Sequence, residues 1–117
     1  MAKFQFRLAT LKKLREADRD RLRASLGEAY QAERLLSEQM RAVENEQLQL
    51  EASRRSVLQN ATLDVNQLLN AQRYAAVLKS QLTTMVGQSE LLSQEVEKRR
   101  QALVGADQQV RVLEKLH

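Results

Sequence analysis

The sequence predicts an all-α protein: a long antiparallel two-helix coiled coil, folded as a helical hairpin. Three observations carry this. The second half has a nearly unbroken heptad, the composition is that of a helix, and a capping signal sits near the midpoint.

The heptad runs through Leu68, Ala71, Ala75, Leu78, Leu82, Met85, Ser89, Leu92, Val96, Arg99, Leu103, Ala106, Val110 and Leu113. Twelve of these fourteen are apolar, at alternating steps of three and four. That spacing holds one narrow stripe on one side of a helix and requires a partner helix to cover it.

The first half has a looser stripe. Leu8, Leu11, Leu22, Ala29, Ala32, Leu36, Val43, Leu50 and Val57 fall on one track, interrupted by Arg15, Asp18, Ser25, Gln39, Glu46 and Ser53. Leu14, Leu26, Leu35, Met40 and Leu48 widen it, towards the broad face of an ordinary amphipathic helix.

Proline and cysteine are absent from the 117 residues, and aromatics make up 3%. Good helix formers dominate. A compact core lacks its usual large fillers, and 29% of residues are charged. Without cysteine there is no disulfide framework and no thiolate metal site. The single histidine, His117, is the last residue. No Gly-rich phosphate loop, histidine pair or nucleophile–base pair is present, so the sequence predicts neither enzyme nor cofactor. No stretch reaches the roughly 20 apolar residues of a membrane span. The basic, acid-free residues 1–15 resemble a transit peptide only in charge, because the helical pattern runs straight through them.

A break between the stripes is expected at Asn60-Ala61-Thr62, where Leu, Ala and Glu give way to Asn, Thr and Asp. Thr62 or Asp64 can cap a new helix, and Asp64 with Gln67 has capping-box spacing. One domain follows, residues 1–117, with helix 1 at about 3–59, a turn at about 60–62 and helix 2 at about 63–117. Each helix would be about 80 Å long. Folding back there sets Leu8 opposite Leu113, Leu11 opposite Val110, Ala29 opposite Leu92, Leu36 opposite Met85, Val43 opposite Leu78 and Leu50 opposite Ala71. Registers shifted by a heptad fit almost as well. A single continuous helix paired with a second chain satisfies the same stripes. Gly27, Gly87 and Gly105 fall inside helices, where each costs about 1 kcal/mol relative to Ala.

Charge is uneven. Residues 1–23 carry eight basic and three acidic side chains, and residues 98–117 carry five and two. The intervening residues carry six and ten. A hairpin brings both basic segments together and attracts an acidic partner surface or a polyanion. Nucleic acid fits poorly. Glu16, Asp18 and Asp20 interrupt the basic run, and no Asn is placed to read adenine. Anionic membrane is a secondary option for residues 1–23.

Two segments resemble a known family. The N-terminal run Phe4-Gln5-Phe6-Arg7-Leu8-Ala9-Thr10-Leu11-Lys12-Lys13-Leu14-Arg15-Glu16 is similar to the start of the flagellar export protein FliJ family. The segments from Arg99 to Asp107 and from Val110 to Leu116, with their Leu-Glu-Lys-Leu run, resemble its second helix. The resemblance implies a fold like the central stalk of rotary ATPases. It implies a cytoplasmic stalk and coupling component of the flagellar type III export apparatus, peripheral to the inner face of the cell membrane. The partners it implies are the hexameric export ATPase FliI, the cytoplasmic domain of the export gate FlhA, and export chaperones. The hairpin by itself is expected to be monomeric.

Candidate ATPase-ring contacts are Leu8, Leu11, Arg15, Arg19 and Arg23. Gln39, Val43, Tyr74 and Leu78 match the family's gate-binding positions. Glu46 and Leu50 depart from that pattern, standing where some members have aromatics. Val43 and Leu78 read better as seam packing, which leaves Gln39 and Tyr74 as the better candidates. The other reading of the chain is a generic structural coiled coil that tethers or dimerises.

Overall fold

The computed structural model describes residues 2–59 and 64–116, and these form two helices. Helix α1 spans Ala2–Gln59 and α2 spans Val65–Leu116. Among the described residues there is no strand. The expected turn, and Thr62 with it, lies outside the described residues. Asp64 does start α2: its Oδ1 accepts the amide of Asn66 at 2.9 Å, and its carbonyl accepts the amide of Leu68 at 3.1 Å. These satisfy donors that a helix N-terminus otherwise leaves unpaired.

The chain forms two compact units. The first comprises Met1–Glu33 and Leu92–His117, the second Arg34–Leu91. In each, a piece of α1 lies antiparallel on a piece of α2. In the first unit, Leu26 and Ala29 pack with Val96, while Leu11 and Arg15 share a groove with Val112 and Leu113. Moving forward on α1 thus means moving backward on α2. In the second unit, Leu50 and Arg54 meet Ala75, and Arg54 and Val57 meet Leu68 and Ala71.

The α2 stripe forms the seam as its spacing predicts. All fourteen positions from Leu68 to Leu113 are buried or half-buried, and Leu78 and Val110 are almost fully enclosed. No large aromatic is needed, because two helices with short apolar side chains approach closely.

The α1 seam differs from its expected track in one of its two columns. Beside half-buried Ala9, Glu16 and Ser25, the covered positions form one regular series: Leu8, Lys12, Arg15, Arg19, Leu22, Leu26, Ala29, Glu33, Leu36, Met40, Val43, Gln47, Leu50, Arg54 and Val57. They alternate strictly at steps of four and three. The column through Leu8, Leu22, Ala29, Leu36, Val43, Leu50 and Val57 is as predicted. The second column lies one residue later than expected. Leu11, Asp18, Ala32, Gln39, Glu46 and Ser53 are exposed, whereas Leu26 and Met40 are covered. The reason is that Lys12, Arg19, Gln47 and Arg54 cover the seam with their methylenes and carry their polar heads to its edge. Hydropathy does not register such a column.

The pairing register changes accordingly. Leu103 packs against the Leu26–Ala29–Val96 cluster. The expected pairing would put Leu103 opposite Asp18, eight residues or about 12 Å from Leu26. Setting Ala29 opposite Val96, as the cluster suggests, brings Leu22 level with Leu103 and Arg54 level with Ala71, and Arg54 and Ala71 do line one groove. Every position of the regular α1 series from Lys12 to Val57 then falls level with a stripe position of α2.

Arg99 is the charged residue of the α2 stripe, and its guanidinium finds two partners. Nη1 donates to the Ser25 carbonyl across the seam at 2.8 Å, and Nε donates to Glu95 at 2.9 Å. Asp18 is exposed and pairs with Arg21 at 3.9 Å.

No atom lies within 4 Å of where a Cβ would stand on Gly27, Gly87 or Gly105. Their backbones take no left-handed angle. Packing therefore does not require glycine at these positions.

Two stability outcomes follow from burial. Leu78→Ala should cost about 2 kcal/mol or more, and exposed Leu48→Ala no more than about 0.5. Gly87→Ala should stabilise by about 0.5–1 kcal/mol. Urea unfolding followed by circular dichroism measures all three.

Candidate interaction surfaces

Most side chains of the two helices face outward, so the candidate surfaces are their flanks. Among the described residues, no group of three or more His, Cys, Asp or Glu is placed to hold a metal ion. Among the same residues, no helix is long and apolar enough to cross a membrane.

The first unit carries the chain's net charge. It has thirteen Lys and Arg against nine Asp and Glu, a net of +4; the second has six against six. Much of the basic charge is matched locally. Arg19 and Arg23 reach Asp20 at 3.4 and 3.9 Å, Lys12 reaches Glu16 at 3.9 Å and Arg111 reaches Asp107 at 3.1 Å. Arg100 grips Glu97 with bonds of 2.9 and 2.7 Å, which holds that carboxyl below the ordinary range. Lys3, Arg7, Lys13 and Arg15 form no ion pair among the described residues. The field that reaches outward therefore comes mainly from the first turns of α1.

Apolar side chains share that region. Phe4, Phe6, Leu14, Val112 and Leu116 are all more than half exposed. A groove beside the seam is lined by Leu11, Arg15, Gly105, Gln108, Gln109, Val112 and Leu113. Of the ring candidates, Leu11 and Arg15 thus line one groove and Arg23 is exposed. Leu8 is buried in the seam, and Arg19 lies along its edge. Lys3, Arg7 and Lys13 are candidates that sequence reasoning did not single out. Their distinction is the lack of an acidic neighbour on the folded surface, which a count along the chain blurs.

The second unit has two unlike flanks. Heptad geometry places Leu35, Gln39, Ala42, Glu46 and Gln49 of α1 beside Tyr74, Val77, Gln81, Thr84 and Leu91 of α2. Glu46 is the charged member of this flank. The opposite flank carries Arg41, Glu44, Glu51, Arg55, Lys79 and Glu90. A nearly uncharged flank bearing exposed Leu35, Tyr74, Val77 and Leu91 is cheap to desolvate, as a protein interface requires.

Gln39 and Tyr74 lie on this flank, and both are exposed. Val43 and Leu78 are 8% and 2% exposed, within the seam beneath it. They support the flank from below, and a docking partner meets Gln39 and Tyr74 first. Glu46, which departs from the family pattern, is tied across the helices: the Tyr74 hydroxyl donates to its Oε2. That bond, then desolvation and the carboxylate's charge, raise the Tyr74 phenol above its ordinary value of 10.0.

The sign of the linkage follows. A phenol whose folded value is raised stabilises the fold below the unfolded value, and that contribution is lost as pH rises through the folded one. In a Tyr30→Phe background, alkaline absorbance titration isolates Tyr74. Glu46→Ala should bring its midpoint down towards the ordinary phenol value.

Comparison with known proteins agrees with this architecture. A family model described as Flagellar FliJ protein matches residues 4–117. No curated protein and no solved structure matches the chain. The chain belongs to the flagellar FliJ protein family, which makes it a structural component of the flagellar export apparatus.

Proposed function

We propose that the chain is the stalk and coupling component of the bacterial flagellar type III export apparatus. The first unit engages the ring of the export ATPase FliI, and the uncharged flank of the second engages the cytoplasmic domain of the gate FlhA. The observation that carries this is the division of labour between the units. One has a net charge of +4 with Arg15, which forms no ion pair among the described residues, beside a largely apolar groove; the other is neutral with a nearly uncharged flank.

The mechanism is mechanical and allosteric. Lys13 and Arg15 steer the first unit onto an acidic ring surface, while Leu11 and Val112 give it an apolar footing. Contact there biases ring assembly and ATP turnover. Gln39 and Tyr74 contact the gate, backed by Val43 and Leu78. Export chaperones are further partners of the same rod. The site of action is the cytoplasmic side of the flagellar base, peripheral to the membrane. There Phe4, Phe6 and the basic residues of the first turns suit an anionic lipid surface as a secondary contact.

A structural tether that dimerises is the competing reading. Sedimentation separates the two: a self-contained hairpin stays monomeric at micromolar concentration, whereas a continuous helix dimerises.

The functional test uses full-length protein with purified ATPase and gate domain. Lys13→Glu with Arg15→Glu should weaken ring binding by about tenfold or more, with strong salt dependence in the parent. Gln39→Ala with Tyr74→Ala should weaken gate binding and leave the ring interaction intact. If the full-length protein neither binds the ring nor changes its ATP turnover, the stalk reading is wrong.

A further inference from the structure

The seam has one strict side and one ambiguous side. On α2, one stripe at steps of three and four is covered throughout. On α1, the column through Leu8, Leu22, Val43 and Leu50 is flanked by two others with the same spacing. The column in use runs through Lys12, Leu26, Met40 and Arg54. The unused column runs one residue earlier, through Leu11, Ser25, Gln39 and Glu46, and is exposed except at half-buried Ser25. Either one completes a heptad with the shared column.

The two columns are closely matched. Each offers two apolar residues in seven: Leu26 and Met40 in the one in use, Leu11 and Ala32 in the other. The first puts Lys12, Arg19, Glu33 and Arg54 at the seam, whereas the second would put only Asp18 and Glu46 there.

We propose that α1 has a second seat on α2, reached by a half-heptad slide of four residues, about 6 Å, with a partial rotation that exchanges these two columns. The α2 stripe stays covered in both seats. Val43 moves from Leu82 to Leu78, and Ala29 moves from Val96 to Leu92. Two cross-helix bonds hold the present seat, one in each unit: Tyr74 to Glu46, and Arg99 to the Ser25 carbonyl. In the second seat Glu46 turns in to face Ala75 and Gln39 turns in to face Leu82. The gate-facing flank is therefore displayed in one seat and dismantled in the other. That consequence rests on the function proposed above, whereas the slide rests on the pairing alone.

The chain has no cysteine, so disulfide trapping has no background. Three double variants of the full-length chain suffice. Val43→Cys with Leu82→Cys reports the present seat, Val43→Cys with Leu78→Cys the second, and Val43→Cys with Met85→Cys is out of register with both. Mild oxidation is followed by non-reducing electrophoresis and mass spectrometry. The second-seat pair should give an intramolecular disulfide at least several-fold above the out-of-register pair. Adding Tyr74→Phe and Arg99→Met should raise its yield relative to the present-seat pair. A second-seat yield no higher than the control overturns the slide, and an unchanged ratio overturns the role of the two bonds. Ala29→Cys with Val96→Cys, against Ala29→Cys with Leu92→Cys, repeats the test in the first unit should a substitution at Leu78 or Leu82 unfold the second. No partner takes part, so failure here is distinct from failure to bind ring or gate.

Discussion

Each unit of this molecule depends on a seam in which each layer pairs one α1 residue with one α2 residue. A two-helix coil has no interior beyond that line. Only eight apolar residues among those described are fully buried, and Leu78 and Val110 are the best enclosed. Burial per residue is therefore small, and the structure stands because the layer repeats along the helices. Repetition substitutes for the aromatic-rich core that the composition rules out.

The same economy explains the distribution of functional surface. Where the seam takes so few residues, most side chains face outward, and the two flanks of a unit can differ completely. In the second unit one flank carries alternating charge and the other Gln, Ala, Thr and exposed apolar groups. In the first, Arg15, which forms no ion pair among the described residues, borders a groove that both helices build. Both surfaces arise from helix pairing: neither Leu11 with Val112 nor Gln39 with Tyr74 is close in sequence.

The sequence made the fold class, the α2 stripe and the Asp64 cap legible, because each is a local pattern of residue types. Leu78, Val96 and Val110 were readable as seam from spacing alone. On α1, hydropathy located the shared column and then followed the wrong neighbour. Arg19 and Arg54 sit at the seam edge by their methylenes, and a transfer scale scores them by their charged ends. Leu26 and Met40 belonged to that column and were read as its margin. The register error followed directly, since trading one column for the other moves every pair by four residues. The surfaces were legible only in part: Gln39, Tyr74 and Arg15 stood out, but the groove and the charge-poor flank exist only once the partner helix is in place.

That error has a physical basis of its own. A column chosen by the apolar pattern and a column chosen by the fold can compete only if their free energies are close, and here each offers two apolar residues in seven. Coiled coils usually settle such ambiguity with a buried polar pair that fits one register. In this chain the polar contacts that discriminate are Tyr74 with Glu46, exposed at the rim, and Arg99 with Ser25, half-buried at the seam. Exposed contacts are weak and respond to partners and to pH. A rod fixed by a buried pair would transmit force rigidly. One fixed at its rim retains a choice of seat, and a surface that touches Glu46 or Tyr74 can influence which seat is taken.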